Sequence, residues 1–322
     1  MDSADDWIIN EEQNSIGFRL ANEGYDVWLA NSRGNKYSLE TTTKMTQKQY
    51  WNFSFEEMAK YDLPANVRYI LQSTGMNDLI VFGHSQGTTS MFATLSDPAT
   101  KDYMNSKVSK FIALAPVTYL ANTPSPFFNM MAWQAPQIQL MSESLGVFSM
   151  GSATCSETSA EAELKAALCA ISPPFCLPGL EIMDANPIYD NLLRLPYFQK
   201  HSPSGSSLKQ FYHYTQWIRQ PYFDARFARY DYGLVANRKI YGQDIPPEYN
   251  LGNIKTKVRA WAGLNDQLGD PVDAKKLEKK LKDLKIDSKF NWLNNCGHMT
   301  FMWGKDSGMR FIDALIAEAK AN

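Results

Sequence analysis

A serine, an aspartate and a histidine stand at positions in this chain where their side chains could form a proton relay. Ser85 is the centre of Gly83-His84-Ser85-Gln86-Gly87, after the apolar run Leu79-Ile80-Val81-Phe82 and before residues 88–95, which read as a helix. Strand, glycine-flanked turn and helix are the context in which G-x-S-x-G becomes a nucleophile elbow. The serine must take a strained backbone at the tip of the turn, and the glycines let strand and helix approach without Cβ clashes. Its hydroxyl is then exposed, and helix N–H groups point where negative charge would develop. Glycine and serine are common enough that about one chain in ten of this size carries the pentapeptide by chance. Partners further along must decide.

Two later strand candidates end on groups that could complete the relay. Lys257-Val258-Arg259-Ala260-Trp261-Ala262 runs into Gly263-Leu264-Asn265-Asp266. Lys289-Phe290-Asn291-Trp292-Leu293 leads to Asn294-Asn295-Cys296-Gly297-His298. Functional groups of open parallel sheets gather outside the carboxyl ends of the strands. Serine, then acid, then histidine is a chain order in which such relays occur. A serine at its free pKa is a poor nucleophile and needs a base within hydrogen-bond reach. His298 would take its proton and later hand it to a leaving alcohol. Asp266 would accept from the other ring nitrogen and fix the tautomer.

Rivals exist for each role. Asp270 precedes a proline at a helix start and reads as a cap, and Asp273 falls in the first turn, which leaves Asp266 ahead. His84 is expected to point away from the partner of Ser85, while His201 and His213 read as surface or packing residues. Cys296 reads as a buried thiol rather than a nucleophile.

The bulk composition bounds what can hold these groups. With 322 residues, 44% of them hydrophobic, the chain can form one large α/β domain or a domain carrying a substantial insertion. A net charge of −2 with interspersed signs gives no footprint for nucleic acid. The lysine-rich stretch at 275–285 reads as a solvated helix face. No apolar run approaches the roughly 18 residues of a transmembrane span. Four cysteines are too few for a disulfide scaffold; Cys155, Cys169 and Cys176 read equally as free thiols or as containing one disulfide. Four histidines without H-x-x-x-H spacing argue against a metal site, and no cofactor is expected. The amino terminus is neither a signal peptide nor a transit peptide and reads like the interior of a domain. Asn52-Phe53-Ser54 is a glycosylation sequon set among aromatics.

The positioning elements follow in order. Residues 15–24 read as a short helix stopped by Gly24, and 25–30 as a strand. Residues 55–75 read as helical, with Pro64 in a first turn and Gly75 past the end. Strand 79–83, helix 86–95 and strand 108–116 then alternate, which predicts βαβ units and a parallel sheet. From Val117 to about Ile254 the rhythm breaks into short helical stretches rich in Pro, Met and aromatics. There, Phe127-Phe128-Asn129-Met130-Met131-Ala132-Trp133 reads as the core of a helical insertion or as an apolar surface over a site for greasy substrates. The alternation resumes with strand 257–262, helix 272–284, strand 289–293 and a closing helix at 307–321. The expected architecture is an α/β core from residues 1–116 and 255–322, a mostly parallel sheet with helices on both faces. Residues 117–254 are expected to form an inserted, mainly helical cap.

With these residues in place, the chain resembles the acid lipases, the gastric and lysosomal group of the α/β-hydrolases. The resemblance is carried by Gly24-Tyr25-Asp26-Val27-Trp28-Leu29-Ala30-Asn31-Ser32-Arg33-Gly34-Asn35 and by Phe53-Ser54-Phe55-Glu56-Glu57-Met58-Ala59-Lys60-Tyr61-Asp62-Leu63-Pro64-Ala65. The elbow with Thr88-Thr89, Ala113-Leu114-Ala115-Pro116-Val117, and Asn265-Asp266-x-Leu268-x-Asp270-Pro271-x-Asp273 complete it. It implies Ser85, Asp266 and His298 as a catalytic triad, with the backbone N–H of Gln86 as an oxyanion donor. It also implies hydrolysis of triacylglycerols or steryl esters at a lipid–water interface, beneath a cap and lid, in a secreted or lysosomal protein. Cys155 would pair with Cys169 and leave Cys176 free.

Two departures accompany the resemblance. Thr300 stands where the family carries an acidic residue. In the family, a strand ending in His-Gly-Leu precedes a stretch like Met1-Asp2-Ser3-Ala4-Asp5-Asp6-Trp7 and supplies a second oxyanion donor. It lies between the strand resembling 25–30 and the one entering the serine. The chain is therefore expected to be amino-terminally truncated, poorly soluble alone and slowed about 100- to 1000-fold. A different class of function is a catalytically silent hydrolase-fold protein that binds lipid or a partner through its cap.

Overall fold

The computed structural model describes residues 2–151 and 181–321. Cys155, Cys169 and Cys176, with the pairing the resemblance implies for them, lie outside the described residues. Four parallel strands form the central sheet: β1 (Leu79–His84), β2 (Val108–Leu114), β3 (Lys257–Gly263) and β4 (Ser288–Leu293). Their spatial order is β1-β2-β3-β4, with Gly83 opposite Ala113, Ala113 opposite Ala260 and Ala260 opposite Phe290. Successive side chains on a strand point to opposite faces. In β2, Phe111 and Ala113 enter one apolar core, while Ile112 and Leu114 enter the other. Both faces being covered, the second half of β2, Phe111-Ile112-Ala113-Leu114, is an unbroken apolar run, as in buried parallel strands.

The first core holds α1 (Leu63–Thr74), α2 (Gln86–Ser96) and α5 (Pro271–Asp283) against the sheet through Val67, Leu71, Met91, Phe92, Leu277 and Leu281. The second holds Ile16 and Leu20 together with α6 (Asp313–Lys320), whose Leu315 and Ile316 are buried. Helix α1 ends as its composition demands, with Gly75 left-handed at φ 71°. Pro64 tells more. A proline ring clashes with the carbonyl four residues back, and here the preceding turn, Met58–Asp62, is π-helical. Leu63 N–H bonds the Met58 carbonyl five residues back, so the helical run survives the proline.

Between β2 and β3 the chain makes a long excursion. It includes α3 (Pro126–Ser144) and α4 (Leu208–Ile218), and a two-residue ladder joins Ser149–Met150 to Ser206–Ser207. Helix α3 is longer than the short stretches expected, and many of its large side chains face outward: Trp133 is 72% exposed and Leu140 74%, with Phe127, Met130 and Met141 also exposed, while Phe128 and Ile138 pack against buried clusters. Ala132 and Ala135 face inward. Helix α4 is tied to the core by aromatic packing and charge. His213 is fully buried and stacks on Phe55 at 4.4 Å, and Trp217 lies 5.1 Å from the same ring. Beyond α4, Arg229 pairs with both Asp97 and Glu56.

One expected strand is absent. Residues 25–30 make no ladder with the sheet, and β1 is an outer strand among the described residues. A cavity of about 480 Å³ is lined on one side by Tyr25, Val27 and Leu29 and on the other by Leu79, Ile80 and Val81. Strands pair only at about 4.8 Å, so across this cavity β propensity alone cannot make residues 25–30 part of the sheet.

Phe111 is fully buried and meets Phe92 edge-on at 5.2 Å, between β2 and α2. Phe111→Ala is expected to destabilise the fold by about 3–5 kcal/mol, read as a lower urea midpoint with an unchanged denaturant slope.

Candidate active site

Ser85 is the turn between β1 and α2, with φ 53° and ψ −119°, a left-handed conformation that a side chain adopts only under constraint. The constraints are visible. Its N–H donates to the Leu114 carbonyl at 3.0 Å, which prolongs the β1–β2 ladder by one bond. Its own carbonyl accepts from Thr88 N–H at 2.8 Å and from the Thr88 hydroxyl at 2.6 Å. The same hydroxyl accepts from Val117 N–H at 2.9 Å, and the Thr89 hydroxyl donates to the Val117 carbonyl at 2.6 Å. Thr88 and Thr89 thus pin the turn to the chain leaving β2. Gly83 permits the close crossing: a Cβ there would press on the backbone of Gly87. Gln86 opens α2, so its N–H has no carbonyl a turn earlier to bond.

The residues expected to meet Ser85 do so. Its hydroxyl lies 2.7 Å from His298 Nε2. His298 Nδ1 lies 2.9 Å from Asp266 Oδ2 and 3.1 Å from Oδ1. A carboxylate only accepts, so Nδ1 carries the imidazole proton and Nε2 is left to accept from the serine. Asp266 is oriented in turn by the N–H groups of Leu268 and Gly269, each 2.8 Å from Oδ1. His298 and Asp266 are buried, while Ser85 is reached from a cavity of about 170 Å³ lined by Ala30, Asn35, Met58, Leu63, Gln86 and Ser206.

The rival carboxyls have other work. Asp270 caps α5, accepting from Val272 N–H at 2.8 Å and Asp273 N–H at 3.2 Å. Asp273 accepts from the backbone N–H and the side-chain amide of Asn122. Cys296 is buried, and burial pushes its thiol well above the usual range.

His84 departs from expectation. It does not point away: its ring lies 5.1 Å from that of His298, and its Nε2–H donates to the His298 carbonyl at 2.8 Å. The strand alternation turns residue 84 away from Ser85's hydroxyl, but the loop carrying His298 folds over that same side. Burial first, and the neighbouring His298 second, pull the His84 pKa down to about 4.

A family model described as alpha/beta hydrolase fold matches residues 3–305. Gastric triacylglycerol lipase of Rattus norvegicus is 33% identical over 98% of this chain and 77% of its own length. The human gastric enzyme is 32% identical over 98% and 76%. Human lysosomal acid lipase/cholesteryl ester hydrolase is 31% identical over 96% and 75%. The chain is an α/β-hydrolase of the acid lipase family. Among solved structures, an esterase from Exiguobacterium antarcticum shares the fold, with TM-score 0.52 over 98% of this chain and 89% of that one, at 16% identity.

Sequence reasoning missed several groups of this acid-lipase site. Asp184 and Asp190 lie behind His298, and no motif spacing marks them. Thr300 accepts from Gly297 N–H at 3.0 Å, so it shapes the histidine loop. Thr88 and Thr89 stood beside the elbow in plain view, but their clamp on Val117 depends on a contact 28–29 residues away.

A prediction follows from His84. Its folded pKa of about 4 lies below the ordinary 6.5, so the folded protein resists protonation in a window where the unfolded chain accepts it. Stability is then present above pH 6.5 and lost as pH falls toward 4. His84→Gln removes this contribution. The wild type is expected to lose up to about 3 kcal/mol more than the variant between pH 7 and 4, measured by chemical denaturation at each pH.

Proposed function

We propose that this chain hydrolyses carboxylic esters of apolar lipids, acylglycerols or steryl esters, through an acyl-enzyme on Ser85. The observation that carries the reading is the unbroken hydrogen-bonded line from the Ser85 hydroxyl through His298 to Asp266. Ser85 Oγ attacks the ester carbonyl while His298 Nε2 takes its proton, and the tetrahedral oxyanion forms beside the N–H of Gln86 at the start of α2. Collapse expels the alcohol, which leaves with the proton from His298. Water, deprotonated by the same imidazole, then attacks the acyl group and frees Ser85. Asp266 stabilises the imidazolium in both halves.

The substrate class is supported by the relatives, whose names specify triacylglycerol and cholesteryl ester. It is also supported by α3, where Phe127, Met130, Trp133, Leu140 and Met141 are exposed and Glu143 is the one charged residue of the helix. Such a face suits a lipid–water interface. We assign residues 117–254 the role of cap over the ester site, and a secreted or lysosomal location on the strength of the gastric and lysosomal relatives.

A fluorophosphonate probe tests the chemistry. Labelling is expected on Ser85 and absent in Ser85→Ala, with His298→Ala and Asp266→Ala slowed by at least about 1000-fold. Triolein, cholesteryl oleate and a short-chain ester then rank the substrates, the long-chain esters being turned over in preference. A well-folded protein whose Ser85 stays unlabelled would instead be the silent, lipid-binding hydrolase fold.

A further inference from the structure

We propose that Asp184 is a positioning residue for the relay, a buried carboxyl clamp that ties the His298 loop to the Asp266 loop and shares a proton with Asp190. The proposal rests on the reading of Ser85, His298 and Asp266 as that relay. It begins with the backbone. Asp184 forms an antiparallel bridge with Asp266, flanked by Ala185 N–H to the Asn265 carbonyl and Gln267 N–H to the Met183 carbonyl, both at 2.9 Å. From this position the Asp184 side chain reaches the other loop, where Met299 N–H donates to its two oxygens at 3.1 and 3.2 Å. On the other side of His298, Gly297 has no side chain, and a Cβ there would overlap the Asp184 carboxyl. One fully buried carboxyl therefore touches the residues before and after His298 while its backbone pairs with Asp266.

Asp190 completes the pair. Its carboxyl is also buried, neither of its oxygens accepts from an N–H or hydroxyl O–H among the described residues, and the groups that act on it include Thr300 and Asp184. Its backbone bridges to Gly304, and the next residue, Asn191, donates its N–H to the Trp303 carbonyl at 2.7 Å. The two aspartates thus grip both ends of the short helix Thr300–Trp303 that follows His298.

Three carboxyls this close, away from water, cannot all be ionised. Burial first, then Asp190 and Asp266, push Asp184 well above the usual carboxylate range. Burial raises Asp190 to about 6 against the opposing pull of Thr300, Asp184 and Arg310. Among the described residues, the other titratable and charged groups facing the pair are Asp266, Cys296 and Arg310. With a proton on Asp184 donated to Asp190, Asp266 alone presents its full charge to the imidazole. Asp184 still accepts from Met299.

Asparagine is the neutral mimic, since its oxygen can accept from Met299 and its amide can donate to Asp190. We would measure fluorophosphonate labelling rates and chemical denaturation for the wild type, Asp184→Asn and Asp184→Ala between pH 4 and 8. Asp184→Asn is expected to label within about threefold of the wild type, and folded Asp184→Ala about 100-fold more slowly, as a displaced base would be. Folded-state pKa values raised above the unfolded ones stabilise at low pH, and that stability is lost as pH rises through about 6. Asp184→Asn should therefore gain on the wild type from pH 4 to pH 8. Labelling of Asp184→Ala within threefold of the wild type would overturn the clamp. A stability difference between wild type and Asp184→Asn that stays constant with pH would overturn the shared proton. An unlabelled wild type with that pH-dependent difference intact would count against the relay reading and uphold the proton-sharing pair.

Discussion

The site depends on carrying one imidazole across the width of the sheet. Ser85 follows β1 and His298 follows β4, the outer strands of the order β1-β2-β3-β4. At about 4.8 Å per strand their starting points lie about 14 Å apart, yet Oγ and Nε2 end 2.7 Å from each other. The loop after β4 has to span that distance. It does so by folding over the end of β3, where Asn265 N–H bonds the Cys296 carbonyl at 3.0 Å and a Cβ on Gly263 would overlap that carbonyl. Asn295, left-handed at φ 53°, makes the change of direction. Cys296 and Met299 anchor the reach in the second core, and the rest of its path is held by its backbone groups.

Those groups are held from several sides. Arg310 donates to the Asn294 and Asn295 carbonyls at 2.7 and 2.8 Å, His84 to the His298 carbonyl, Thr300 receives Gly297 N–H, and Asp184 receives Met299 N–H. Each such bond contributes only about 1 kcal/mol, while a buried backbone group left unpaired costs about 1–3. The loop therefore has one well-satisfied path and expensive alternatives, and that difference places the imidazole. His84 illustrates the economy of the arrangement. A residue of the elbow itself, on the strand face turned from the serine hydroxyl, reaches the far loop and fixes it from below.

This division explains what was legible in the sequence. Strand, elbow and helix around Ser85 are local, and glycine spacing with apolar runs announces them. Asp266 and His298 were legible because each stands just past a strand, and because Asp270 and Asp273 carried their own explanations as helix-start residues. What depends on the path of a loop was not. The position of His84 against His298 follows from the return of a segment more than 200 residues away. Residues 25–30 have the composition of a strand, but pairing is a property of two chains at a set distance, and a cavity of about 480 Å³ stands in between. Helix α3 likewise kept both of its readings until the outward direction of Trp133 and Leu140 was known.

Asp184 and Asp190 were illegible for a further reason, which changes how the excursion between β2 and β3 should be regarded. Neither residue sits at a strand end or in a motif; both lie in a segment that the broken rhythm assigned to the insertion. Yet residues 183–185 pair with the Asp266 loop, and Asp190 and Asn191 with the turn after His298. The excursion is therefore joined to both relay loops by backbone bonds and by a buried carboxyl. The cores of the sheet position the serine, but a segment midway along the excursion fixes the distance between acid and base. A displacement of residues 183–191 could not leave the line from Asp266 to Ser85 intact, because the bonds that hold the two loops in register would be the first to break.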